Sequence, residues 1–188
     1  MGQSAISTST CVDSCAVSVF KTDMGWVGIT GRGRVLNSVV FGYDSETGIL
    51  SRVQPELEAG GEIDDWNPLL RKRLQQFLSG KGSGDFRDVE TVITEPTPFA
   101  SRVIAAVRTI PAGNVLSYAE VAAAAGSPKA SRAVGNLMAR NTIPIVIPCH
   151  RVVASGGRLG GYSSPKGLEM KTRLLELDAA SVKSGTRR

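Results

Sequence analysis

Ten residues constrain this chain more than any other stretch: Pro144-Ile145-Val146-Ile147-Pro148-Cys149-His150-Arg151-Val152-Val153. An apolar run ends in a proline. A cysteine, a histidine and an arginine follow at once, and two valines resume the run. Pro148 lacks an N–H and has a fixed φ, so strand pairing is interrupted there. This predicts a buried extended segment that breaks just before Cys149 and sets its thiol at the floor of a pocket. The thiolate is the strong nucleophile, and near neutral pH it needs a base or a positive environment. His150, the single histidine of the chain, and Arg151 are the nearest candidates. The plainer alternative is a structural cysteine beside a surface His and Arg, since free Cys is commonly buried.

The surrounding pattern predicts an α+β fold. Residues 16–43 alternate as strands do, in runs at 16–20, 26–29 and 35–41, with Gly25 and Gly31-Arg32-Gly33 as turns. This reads as a small antiparallel meander. Residues 44–66 carry seven acids and several glycines with no clear period, and read as loop. A helix is predicted over residues 68–78, capped by Asn67 and started by Pro68, with Leu70, Leu74, Phe77 and Leu78 on one face. Residues 86–95 lead into a second, mostly helical domain. Its first helix begins at Pro98 with Phe99, Val103 and Val107 as a core stripe, and Pro111 and Gly113 stop it. Ser117-Tyr118-Ala119-Glu120 is a capping box for an Ala-rich helix that runs to Ala125. Gly126 closes that helix, and Ser127 and Pro128 cap and start the next, with Ala130, Ala133, Val134, Leu137 and Met138 on its apolar side. The pair is a helix-turn-helix. Residues 154–165 are glycine-rich, without the lysine of a phosphate-binding loop. A last helix over residues 167–178 has Leu168, Leu174, Leu175 and Leu177 as core. The expected organisation is a disordered tail (1–15), an N-terminal sheet domain with a helix (16–92), a C-terminal domain carrying the helix-turn-helix and Cys149 (93–180), and a basic disordered tail (181–188).

Charge bears on the partner. Of the net +5, residues 101–173 hold ten Lys/Arg against two Asp/Glu, while the remainder holds twelve against fifteen. A basic segment on an otherwise acidic chain suggests a polyanion; the alternative is a solvated basic face. No apolar run of about 18 residues exists, so no membrane span is expected. Residues 1–10 have no basic and apolar signal regions, so a cytoplasmic (or nuclear) location is expected rather than secretion. Three cysteines make no disulfide framework. Cys11 and Cys15 lack a histidine partner for zinc, since the only one is His150.

The motifs together resemble the O6-alkylguanine-DNA alkyltransferases. They are Thr97-Pro98-Phe99, Ile110-Pro111-Ala112-Gly113, Ser117-Tyr118, Ser131-Arg132-Ala133-Val134-Gly135, Ala139-Arg140-Asn141, Ile147-Pro148-Cys149-His150-Arg151-Val152 and Gly161-Tyr162. The match is strongest over residues 97–178 and weaker over 16–95. The resemblance implies a ribonuclease H-like N-terminal domain and irreversible, single-turnover transfer of the alkyl group of O6-alkylguanine to Cys149. O4-alkylthymine is a further substrate left open.

In that resemblance Asp178, where the family usually has glutamate, holds His150, and His150 draws the proton from Cys149. Arg132 is the finger that fills the gap left by a flipped guanine, and Tyr118 crowds the phosphate 3′ to it. Ala130, Ala133 and Gly135 let the second helix approach the minor groove of duplex DNA. Arg151 contacts DNA or locks the local loop, and the structural role is favoured. Asn141 braces the turn before Cys149. Tyr162, Ser163 and Val152 line the alkyl and guanine pocket. The segment 163–167 is longer than the family's common version, and Pro165 stiffens it. A monomer is expected, with no cofactor, no metal and no membrane partner. Three other classes differ in outcome. A non-catalytic lesion sensor of the same family would lack the nucleophile. A helix-turn-helix transcription factor would not need the thiol–imidazole pair, and a Cys-His hydrolase would turn over repeatedly.

Overall fold

The computed structural model describes residues 15–92 and 97–185. Residues 1–14 of the tail expected at 1–15, with Cys11, lie outside them, as do residues 93–96, where the division into two domains is expected.

Three strands form the meander: β1 (Ala16–Thr22), β2 (Gly25–Arg32) and β3 (Val35–Tyr43). Both pairings are antiparallel, with Phe20 opposite Val27 and Val27 opposite Phe41. Period-2 alternation therefore puts Phe20, Val27, Ile29 and Phe41 on one face, where they join the main core. The opposite face is covered by a helix, in the aperiodic acidic stretch that reads as loop. This is α1 (Glu46–Glu58), capped by Ser45, whose side chain accepts from Gly48 N. Only Ile49 and Val53 of α1 are buried, one turn apart, and Pro55 sits inside the helix. Glu46 and Glu58 face solvent, Glu56 is half-buried, and two buried apolar positions are too few to make a period. Gly28 lets α1 sit this close: a Cβ there would lie 2.9 Å from Val53 Cγ1. A second element in the same stretch, β4 (Glu62–Ile63), adds in parallel to β1 and completes the order β3-β2-β1-β4. Helix α2 (Pro68–Leu78) has the expected Asn67 cap and buries Leu70, Leu74, Phe77 and Leu78.

The second half is helical. In α3 (Pro98–Arg108) the buried stripe is Ala100, Val103 and Val107, with Phe99 only partly buried. Strand β5 (Leu116–Ser117) leads into α4 (Tyr118–Ala124), whose capping box is complete. Helix α5 (Ser131–Ala139) starts later than Ser127-Pro128 suggests. Ala130 N donates to Ser127 O in a turn before it, and its N-cap, Ala130, offers no side-chain bond. Val134 and Met138 are its buried residues, while Ala133 is exposed. The final helix, α6, runs Gly167–Gly185, so residues 181–185 continue the helix instead of forming a tail. Its core is Met170, Lys171, Leu174, Leu177 and Asp178, whereas Leu168 is 49% exposed.

Both halves share one hydrophobic cluster, from Phe20 and Ile29 to Val146 and Leu177. Backbone bonds cross between them: Val39 N donates to Thr142 O at 2.9 Å. The Arg108 guanidinium reaches the carbonyls of Phe86, Arg87 and Val89. No helix among the described residues is long and apolar enough to cross a membrane.

Candidate active site

The apolar run before Cys149 is not a strand. Ile145 has φ +73, in the left-handed region that a β-branched residue rarely adopts. Ile147 N donates to Ile143 O at 2.9 Å, and Cys149 N donates to Ile147 O at 2.7 Å, closing a tight turn about Pro148. Two prolines without N–H groups bound the run, so a strand partner would find few donors. Asn141 supplies bonds instead: its Nδ2 donates to Ile147 O (2.9 Å) and its Oδ1 accepts from Ile143 N (3.0 Å). Ile143, Ile145, Val146 and Ile147 are buried, which sustains the strained backbone.

Cys149 opens a short 3-10 turn, Cys149–Arg151, all buried, and β6 (Val152–Val153) follows. Strand β6 pairs in parallel with β5, placing Ser117 beside Val153 and so bringing the start of α4, with Tyr118, to the site. The loop 159–161 closes over Tyr118. Gly160 has φ +68, and a Cβ there would meet Tyr118 Oη at 3.0 Å.

Helix α6 supplies the charges. Asp178 is 1% exposed, and its Oδ2 lies 3.1 Å from His150 Nε2. Arg151 grips the same carboxylate with both arms, Nε to Oδ2 at 2.6 Å and Nη2 to Oδ1 at 2.8 Å. It also donates to Ile110 O and Gly84 O, each at 2.7 Å. Burial pushes the Asp178 carboxyl up, but the bonds from His150 and Arg151 outweigh it and hold the group below the usual carboxylate range. An ionised carboxylate only accepts, so His150 carries its proton on Nε2 and leaves Nδ1 as a bare lone pair. That Nδ1 is buried with no hydrogen-bond partner. Burial lowers the His150 pKa, and the Arg151 and Lys171 charges add to this against Asp178, so the ring is neutral near pH 7.

Burial pushes the Cys149 thiol above its ordinary range. The Asn141 side chain, the Lys171 charge and the Tyr162 hydroxyl act against it. Tyr162 Oη is buried and makes no hydrogen bond of ordinary geometry, so its influence on Cys149 is one of proximity.

The structure thus gathers Cys149, His150, Asp178, Arg151, Asn141, Tyr118, Tyr162 and Val152. It corrects the DNA-contacting reading of Arg151, which is 4% exposed and engaged on the protein by every arm of its guanidinium. The Ser163 hydroxyl donates to Ala139 O at 2.9 Å. Arg132 and Ala133 are exposed on α5, while Ala130 and Gly135 are half-buried. Glu176 is exposed and pairs with Arg173.

Lys171 was missed by sequence reasoning. It is fully buried, and its Nζ donates to Val152 O at 2.7 Å and to Leu159 O, tying the cysteine segment to the glycine-rich loop. Its register was the signal, since Lys171, Leu174 and Asp178 fall on one helical face. Among the described residues, no group of His, Cys, Asp and Glu is arranged to hold a metal ion.

The buried His150 has a consequence for stability. Its folded pKa lies below the ordinary value of 6.5, so the unfolded chain takes up the proton first as pH falls. Its stabilisation is therefore full above pH 6.5 and is lost as pH drops through that value towards the folded pKa. Asp178 has the same sign, starting near its ordinary 3.8. Urea midpoints are expected to hold steady from pH 8 to 7, decline below about 6.5 and fall steeply below about 4. His150→Gln should remove the first decline and keep the second.

The chain is similar to known proteins in both sequence and fold. Residues 98–180 match the 6-O-methylguanine DNA methyltransferase DNA-binding domain family. The chain is 48% identical over 126 residues to the constitutive methylated-DNA–protein-cysteine methyltransferase of Bacillus subtilis, covering 67% of each. It is 38% identical over 120 residues to the enzyme of that name from Methanosarcina acetivorans, covering 62% of this chain and 76% of that one. Its fold is similar to the crystal structure of Mycobacterium tuberculosis OGT in complex with DNA, with a TM-score of 0.71 and 31% identity over 88% of this chain and 94% of the other.

Proposed function

This chain belongs to the methylated-DNA–protein-cysteine methyltransferase family, and on that premise we propose how its own residues perform the repair. The chain repairs DNA directly, by alkyl transfer from damaged guanine to protein. The acceptor in this reading is Cys149. The observation that carries it is the buried Asp178–His150 pair, which leaves a bare Nδ1 lone pair on the residue next in the chain to a buried thiol.

His150 Nδ1 takes the Cys149 proton through an intervening water. Sγ then attacks the alkyl carbon in line, the S–C bond forms, and the C–O6 bond breaks with its electron pair leaving on the guanine. Donors offset the charge of that leaving group. Tyr118 is one, because burial raises its pKa and keeps it protonated. Since the Ser163 hydroxyl is committed to Ala139 O, its main-chain N–H is assigned the contact with O6. The carbonyls of Cys149 and Val152 select guanine through its exocyclic amine. Each already accepts once, from Val152 N and Lys171 Nζ, and a carbonyl has a second lone pair. The thioether is stable, so the protein acts once.

A buried thiol cannot reach a stacked base, so the guanine must rotate out of the duplex. Helix α5 enters the minor groove in this reading, with Ala130, Ala133 and Gly135 permitting close approach, and the exposed Arg132 fills the vacated stack. One chain acts as a monomer. Arg132→Ala is expected to slow transfer from duplex DNA by about tenfold or more, because unstacking costs a few kcal/mol. It should leave transfer from a single-stranded lesion nearly unchanged; single-turnover rates on the two substrates check this.

Counting products tests the function. With excess O6-methylguanine duplex, repaired guanine should plateau at one per chain. Continued turnover would indicate a hydrolase-like enzyme, and tight binding without any repair would indicate a lesion sensor.

A further inference from the structure

The base His150 is held by Asp178, and Asp178 by Arg151; the remaining question is what holds Arg151. One of its carbonyl partners, Ile110 O, belongs to the same helical half of the chain. The other, Gly84 O, comes from the loop after α2, on the sheet side, 67 residues away in sequence. That loop approaches so closely that only glycine fits. A Cβ on Gly84 would lie 2.5 Å from Asp178 Oδ1, 2.8 Å from Arg151 Nη2 and 3.0 Å from the Phe77 ring.

The loop is itself anchored. Arg73, on α2, donates to Asp85 O at 2.8 Å and grips both Asp88 oxygens at 2.7 Å. Its guanidinium lies over the Phe86 ring, 5.1 Å from the centroid, and Phe86 packs edge-on against Phe77. Arg108, from α3, reaches the carbonyls on the far side of Phe86. A continuous line of contacts thus runs from α2 through residues 84–88 to the carboxylate behind the base.

We propose that residues 84–88 are a positioning strut for the alkyl-transfer reaction, in which Gly84 fixes Arg151, Arg151 fixes Asp178, and Asp178 fixes the tautomer of His150. The proposal rests on the reading that His150 is the base. It makes the N-terminal half a working part of the reaction centre, although that half contributes no group that touches substrate. Arg151 spends its four bonds on three separate partners, so a displaced loop leaves it free to rotate and release one carboxylate oxygen. The charged groups facing His150 are Asp178 and Lys171 from α6 and its neighbour Arg151 on the 3-10 turn, and the strut acts on two of these at once.

The single histidine makes the test direct, because imidazole ¹⁵N signals of the histidine-labelled full chain report only His150. Wild type is expected to show the Nε2–H tautomer near pH 7. Gly84→Ala is expected to shift those signals towards a tautomer mixture and to slow single-turnover transfer about tenfold or more, the scale of a small misplacement of a reacting group. DNA affinity, measured in a Cys149→Ser background, should not change. Arg73→Gln, remote from the site and on the surface, should move both readouts the same way by less. A loop that only stabilises the fold would lower the melting temperature without moving the tautomer. If both variants fold and keep the wild-type signals and rate, the proposal is wrong; if Gly84→Ala does not fold, Arg73→Gln alone decides. Failure of the wild type to transfer alkyl groups would instead overturn the proposed function, and the ¹⁵N signals would still test the strut.

Discussion

Asp178→Asn is expected to cut the alkyl-transfer rate by about 10²- to 10⁴-fold while DNA binding persists, the range for losing a positioned general base or its correct tautomer. The carboxylate accepts from His150 Nε2–H and thereby leaves Nδ1 bare. An asparagine amide can turn its NH₂ towards Nε2, and that stabilises the tautomer with the proton on Nδ1. The base would then already be occupied. Asparagine also halves the acceptor capacity facing Arg151, so some loss of stability is expected. Single-turnover rates on protein shown to be folded separate the two effects. Asp178→Glu restores the residue common in the family, and should retain far more activity than Asn because it keeps the charge.

The largest stability effect is expected at Arg151. Arg151→Ala deletes both bonds to Asp178 and both to main-chain carbonyls. It strands a carboxylate that is 1% exposed beside a neutral imidazole. Breaking a buried ion pair from one side costs about 3–5 kcal/mol. Set against a typical total of about 5–15 kcal/mol, that leaves the variant marginal. Urea unfolding measures it directly. The double variant Arg151→Ala/Asp178→Ala is expected to be more stable than Arg151→Ala alone, because the stranded charge is gone. If Arg151 acted chiefly on DNA phosphates, the single change would leave the urea midpoint unmoved and weaken DNA binding instead.

What could be read from the sequence was local. The Ser117–Glu120 capping box and the Asn67-Pro68 helix start involve neighbours a few residues apart, and both lie where they were expected. The meander was legible because its alternation is carried by the strands themselves. Helix α1 was not, because its stability rests on Ile49 and Val53 meeting Gly28 across the sheet, a match that no window of sequence contains. The run before Cys149 looked like a strand because its residues are apolar. Its two prolines and the Asn141 side chain send the hydrogen bonds into turns instead. Within the site, the residue types that carry chemistry announced themselves. Lys171 did not, since a lysine in a helix reads as solvated until its register with Asp178 is drawn. The Gly84 contact is made by a main-chain carbonyl and an absent side chain, and residue identity alone says little about either.

Intact mass spectrometry after incubation with excess O6-methylguanine duplex, with peptide mapping and a parallel Cys149→Ser sample, decides whether Cys149 accepts the alkyl group. One methyl group per chain should be added, located on Cys149, with no gain in the variant. An unmodified wild-type chain that binds the lesion tightly, or a methyl group found on any other residue, would contradict Cys149 as the acceptor.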